Sequence, residues 1–179
     1  MPCKTLPRAH GLIRFIIAAI VQGAVITGLT LVIVSAQVLT SGVNIIQFLS
    51  LSFEGPAKWF FLGYIFYLIL VVAIAVTAVF YNHLEVGMGR QIRGIRAVLA
   101  WIHVVGMNIG GAATTIAMIF AGLAGSGILG VVLGDGTTLQ PNVAIMEHFI
   151  NPIVAFAGLL SVGVLAGGIA YITTYLRKS

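Results

Sequence analysis

Residues 97–134 read AVLAWIHVVGMNIGGAATTIAMIFAGLAGSGILGVVLG and contain no charged side chain over 38 residues. About 20 apolar residues at a rise of about 1.5 Å each cross a bilayer core, so this stretch predicts a membrane-spanning helix. Arg93 and Arg96 open it, and its one ionisable group is His103, roughly two turns in. Gly106, Gly110 and Thr114 follow at i, i+4 and i+8 and share one face, on which a second helix can approach closely.

The remainder of the chain obeys the same constraint. Only 7% of its residues are charged and 60% are hydrophobic, whereas a soluble domain carries roughly 25% charged residues. The chain therefore reads as an integral membrane protein, one transmembrane domain over residues 1–179 with no soluble head. Its formal charge of +5 is a matter of topology, and no nucleic-acid partner is expected. Cys3 is alone, which excludes an internal disulfide and any metal-binding cysteine spacing.

Lys4, Arg8 and Arg14 precede a charge-free run over 15–53. Val34, Ser35 and Ala36 resemble a signal-peptidase site, but the apolar run before them exceeds the roughly 7–15 residues of a signal core. A retained first helix over about 12–39 is the reading. Gln37, Thr40, Ser41, Gly42 and Asn44 break the pattern, and 45–53 reads as an interfacial turn of helix before Glu54, Gly55 and Pro56. The second span covers about 56–81, with Pro56 in its first turn. Trp59, Phe60, Phe61, Tyr64, Phe66 and Tyr67 crowd its first half, as an interfacial belt or as packing within a larger assembly.

A polar loop over 82–96 leads to the third span, about 97–125. Residues 125–134 either continue that helix or bend along the outer surface, since glycine permits both. Asp135, Gly136, Gln140, Pro141 and Asn142 form a second loop, and the fourth span covers about 148–175, starting around Glu147 and His148. The N-terminal tail, the 82–96 loop and the C-terminus hold eight of the nine basic residues. The expected architecture is thus all-α, an integral membrane four-helix bundle with both termini cytoplasmic, in a cell membrane or an equivalent energy-transducing membrane.

An intramembrane ionisable residue is a functional hypothesis by default. A b-type haem needs two axial ligands facing each other at one depth. His83 ends the second span, whereas His103 lies roughly 10 Å deeper, so the two match poorly, and neither His148 nor His10 repairs the pair. His103 reads more simply as a hydrogen-bonding partner for a neighbouring helix. Arg90, Arg93 and Arg96 read as topology determinants, and the glycines of 122–136 are not arranged as a phosphate loop. There is no Ser/His/Asp set, no paired carboxylate and no cysteine nucleophile within a span. Nor is there the mid-membrane carboxylate or lysine on which pumps and ion-coupled transporters rely. No catalytic residue and no metal site are expected.

Ile102–His103, Met107, Ile109–Gly110, Thr114, Phe120, Gly122–Leu123 and Gly125 place ten positions of I-H-x3-M-x-I-G-x3-T-x5-F-x-G-L-x-G in register over 24 residues. The pattern resembles the penultimate helix of the haem-copper oxidase catalytic subunit, subunit I. His83 falls where the family's preceding helix ends in a histidine. Tyr64–Ile65–Phe66–Tyr67 stands where that helix carries its haem-ligand pattern H-F-H-Y, so Tyr64 and Phe66 occupy the two haem-ligand positions. Met118–Ile119 replaces the family's Q-H, and Ser126–Gly127–Ile128–Leu129 replaces the M-P-R-R that reaches the haem propionates. The last four helices of that subunit also start and finish on the inner side.

The resemblance is specific over 64–125 and implies a C-terminal four-helix portion that keeps packing residues and lacks the haem and copper ligands. It implies a non-catalytic integral membrane subunit of a terminal oxidase or related respiratory electron-transport complex. Such a chain binds no cofactor alone; haem and copper belong to the partner catalytic subunit, and other membrane subunits, lipid and quinone are the expected neighbours. Gly106, Gly110, Thr114 and Gly122 form the expected helix-packing interface, while Tyr64, Phe66 and Tyr67 fill space that haem occupies in the relatives. The alternative is a small b-type cytochrome or quinone-site membrane anchor with His83 and His103 as haem ligands. A self-assembling channel or carrier is a third reading, with few polar residues to line a pore.

Overall fold

The structure, a computed structural model, describes residues 10–39, 44–47, 55–133 and 141–177. The tail with Cys3, Lys4 and Arg8, the interfacial reading of 48–53, Glu54, the loop residues Asp135, Gly136 and Gln140, and Lys178 lie outside the described residues. Four helices are long and apolar enough to cross a membrane, and no strand occurs among the described residues, so the chain is an all-α membrane bundle. They are α1 (His10–Leu39), α2 (Ala57–Asn82), α3 (Ile95–Gly125) and α5 (Val143–Tyr175), with a short α4 (Ile128–Val132) between the last two.

Local chemistry sets the ends of these helices. Beyond Asn82 the chain keeps winding as a π-helical turn, His83–Gly87, so the first third of the expected 82–96 loop is helical. The turn is held because Glu85 reaches the start of α1: its carboxylate accepts hydrogen bonds from the N–H groups of Gly11 at 3.2 Å and Leu12 at 3.5 Å. First-turn N–H groups have no intrahelical partner, and a carboxylate there also meets the positive end of the helix dipole. Arg90 mirrors this arrangement by donating from Nη1 to the Thr174 carbonyl at 3.3 Å, in the last turn of α5. Gly94, at φ +63°, then turns the chain into α3.

Helix α3 stops at Gly125, and Gly127 at φ +78° adopts a left-handed conformation that breaks the helix before α4. Over residues 125–133 the α3 helix does not continue unbroken. The amide of Asn142 returns to the Gly125 carbonyl at 2.9 Å, and its side chain caps α5 by accepting from Ala144 N–H at 3.1 Å. This cap starts α5 at Val143, ahead of the expected 148, and Glu147 and His148 are exposed residues of its early turns.

α3 is the central element, packed between α2 and α5, while α1 leans chiefly on α2. It is the most buried span and α1 the least. Phe60, Gly63, Tyr67, Leu70, Ile74, Ala78 and Tyr81 give α2 a buried stripe at the three-and-four spacing of one helical face. Two core clusters hang on that stripe. Phe15, Ile74, Tyr81, Ala100 and Met107 form one; Ile45, Phe60, Ile119, Leu123 and Ile128 form the other, towards the opposite end of α2.

Candidate functional site

Helices α3 and α5 cross in close backbone contact. A Cβ built on Gly106 would stand 2.5 Å from the Cα of Gly163, and one on Gly110 would stand 2.6 Å from Leu160 N and 2.9 Å from the Phe156 carbonyl. Only glycine admits such an approach of backbone to backbone. The close face anticipated at Gly106 and Gly110 thus meets the chain's own last helix, which leaves neither glycine free for a second subunit. Thr114, one turn further on, is half-buried and donates its hydroxyl to the Gly110 carbonyl at 2.7 Å. Gly122 belongs to a different contact, since a Cβ there would enter the backbone of Phe60 in α2.

At this crossing α3 widens into a π-helical turn, Gly106–Gly111. Such turns rotate the side chains that follow and concentrate at functional positions. Here Asn108 comes to face α1. Gln22 donates from Nε2 to the Asn108 side-chain oxygen at 3.1 Å and to its carbonyl at 3.3 Å, while Asn108 donates to the Val104 carbonyl at 2.9 Å. The Tyr67 hydroxyl donates to Gln22 Oε1, so three helices meet at one polar cluster. Thr77 adds a contact from its hydroxyl to the Met107 sulfur at 3.8 Å. Among the described residues, every buried side-chain nitrogen or oxygen has a hydrogen-bond partner.

His103 is buried one turn before the π-helical segment. Its Nδ1 lies 3.3 Å from the Tyr81 hydroxyl, its ring centroid lies 5.2 Å from that of Phe15, and a Cβ on Gly167 would strike the ring. His83 is exposed on the turn after α2. Positions two apart on a helix do not share a face, so His83 points away from the side on which Tyr81 meets His103. The structure does not bring the two histidines together. His148 is exposed near the start of α5, at the other end of the bundle.

The aromatic residues of the stretch 64–67 divide between interior and surface. Tyr67 is fully buried, and Tyr64 is half-buried with its hydroxyl 2.8 Å from that of Thr30. Phe66 is 46% exposed and faces outward, so it does not fill the interior as expected; two residues from Tyr64, the helix turns it away.

Charge separates by end. The start of α1, the segment 83–96 and the end of α5 bring Arg14, Arg90, Arg93, Arg96 and Arg177 to one end, where the Arg14 guanidinium lies 4.1 Å over the Trp101 ring. Lys58 and Glu147 stand at the other end. Gln22, Asn108, Tyr81, Glu85 and Gly163 were not singled out from the sequence. The readable signals were two amides within apolar runs and a second small-x3-small pair, Gly163 and Gly167, matching Gly106 and Gly110. Comparison of the chain with protein-family models, curated proteins and solved structures finds no match.

Proposed function

We propose that the chain is a non-catalytic integral membrane subunit of a terminal oxidase or related respiratory electron-transport complex, packed laterally against the catalytic subunit. The observation that carries this reading is how the polar interior is used. Gln22 bonds both Asn108 and Tyr67, Tyr81 bonds His103, and Thr30 bonds Tyr64, so these groups serve to join helices. The outer flank of α1 is the reverse case, with Ile17, Ile20, Leu31 and Val32 each more than half exposed. An apolar flank of that extent suits contact with lipid or another membrane subunit. The resemblance of 102–125 to subunit I supplies the identity of the complex, with haem and copper in the partner.

Both termini are cytoplasmic in this account. Support comes from the arginines at the end of the bundle where α1 begins and α5 finishes, because positive residues remain inside. The cytochrome alternative requires His83 and His103 to face each other, against the placement of His83 two residues beyond Tyr81. A reduced-minus-oxidised spectrum of the separated chain tests the choice. No haem band is expected; a band that is lost in His103→Ala would overturn the structural reading.

A further inference from the structure

A groove of about 290 Å³ opens between the starting turns of α2 and α5, at the end of the bundle away from the arginines. Ala121, Met146 and Ile150 make its apolar wall, and Lys58, Trp59 and Glu147 ring its mouth. Lys58 is the second residue of α2 and Glu147 lies in the second turn of α5, so both charges stand at the boundary between membrane and water. Both are exposed, and among the described residues neither forms an ion pair. The groove therefore presents one positive and one negative group over an apolar wall, with an indole at interfacial depth.

This pairing of charges selects among amphiphiles. An anionic headgroup would gain Lys58 but meet Glu147, and a neutral headgroup would leave both charges unanswered. A zwitterionic headgroup answers both, and the start of α2 adds the positive end of its dipole beside Lys58. We propose that this groove binds one zwitterionic phospholipid, with its phosphate on Lys58, its ammonium group on Glu147 and the upper part of an acyl chain against Ala121 and Ile150. The site does not depend on the respiratory reading of the chain.

The test uses the full chain carrying Trp101→Phe, which leaves Trp59 as the sole tryptophan of the two in the sequence. It is reconstituted in vesicles doped with brominated phosphatidylethanolamine, phosphatidylcholine or phosphatidylglycerol, and quenching of Trp59 is read against mole fraction. Half-quenching is expected at about threefold lower mole fraction for a zwitterionic lipid than for phosphatidylglycerol, the scale of one exposed ion pair. Lys58→Glu and Glu147→Lys should each remove the preference, and Lys58→Arg should keep it. Excess inorganic phosphate should leave quenching unchanged. Equal quenching by all three lipids, preference for phosphatidylglycerol, a preference that survives Lys58→Glu, or displacement by phosphate would each overturn the proposal. Both charged side chains are exposed, so these variants leave the core intact.

Discussion

Gly106→Ala is the most informative single change in the bundle. The added methyl would lie 2.5 Å from the Gly163 Cα and 3.0 Å from the Leu159 carbonyl oxygen, all backbone atoms with no rotamer to yield. Unstrained carbon–carbon contacts sit at about 3.5–4.0 Å, so α3 and α5 must separate locally by roughly 1 Å. Overpacking of this kind costs about 1–3 kcal/mol. In detergent the helices persist when they dissociate, so helix propensity nearly cancels and the cost falls on the packing step. Gly158→Ala is the matched control, because nothing lies within 4 Å of a Cβ there and the change should stay within about 0.5 kcal/mol. Equilibrium unfolding in mixed SDS micelles, followed by tryptophan fluorescence, measures both. A Gly106→Ala protein as stable as Gly158→Ala would refute the reasoning.

Other consequences follow from the polar and charged contacts. Gln22→Leu and Asn108→Leu should each destabilise the bundle by about 1 kcal/mol, and the double-mutant cycle should return a coupling of about 0.6–1.7 kcal/mol, the range for hydrogen bonds between membrane helices; zero coupling would mean the amides are not partners. Gly167→Ala should displace the His103 ring, read as a change in its imidazole NMR signals, whereas Gly168→Ala, with open space around it, should leave them in place. Glu85→Gln should weaken the anchoring of α1 by about 0.3–1 kcal/mol. Faster hydrogen exchange at Gly11 and Leu12, with the centre of α3 unchanged, is the expected readout.

Charge-free runs made the four spans legible, since a run that long has few alternatives to crossing a membrane. Helix ends were harder to read because they depend on side chains far away in the chain. Glu85 prolongs α2 by serving α1, and Asn142 starts α5 early while its amide holds on to Gly125. The glycine face of α3 was visible in its spacing, but its partner was not, because a close face does not say which helix it meets. Gly163 answers that question only in three dimensions. The π-helical turn left no mark in the sequence, and with it the Gln22–Asn108–Tyr67 cluster went unread. His103 stands out in the sequence as an ionisable group within a span, whereas the groups that join three helices carry no charge.

The claim that this chain is a structural subunit of a respiratory oxidase is tested most directly by purifying it through a tag in mild detergent, identifying what accompanies it by mass spectrometry and following haem through the separation. The account predicts co-purifying oxidase subunits, with all haem leaving with them when this chain is stripped away. A chain that purifies alone as a homo-oligomer, or one that retains haem after its partners are removed, would contradict it.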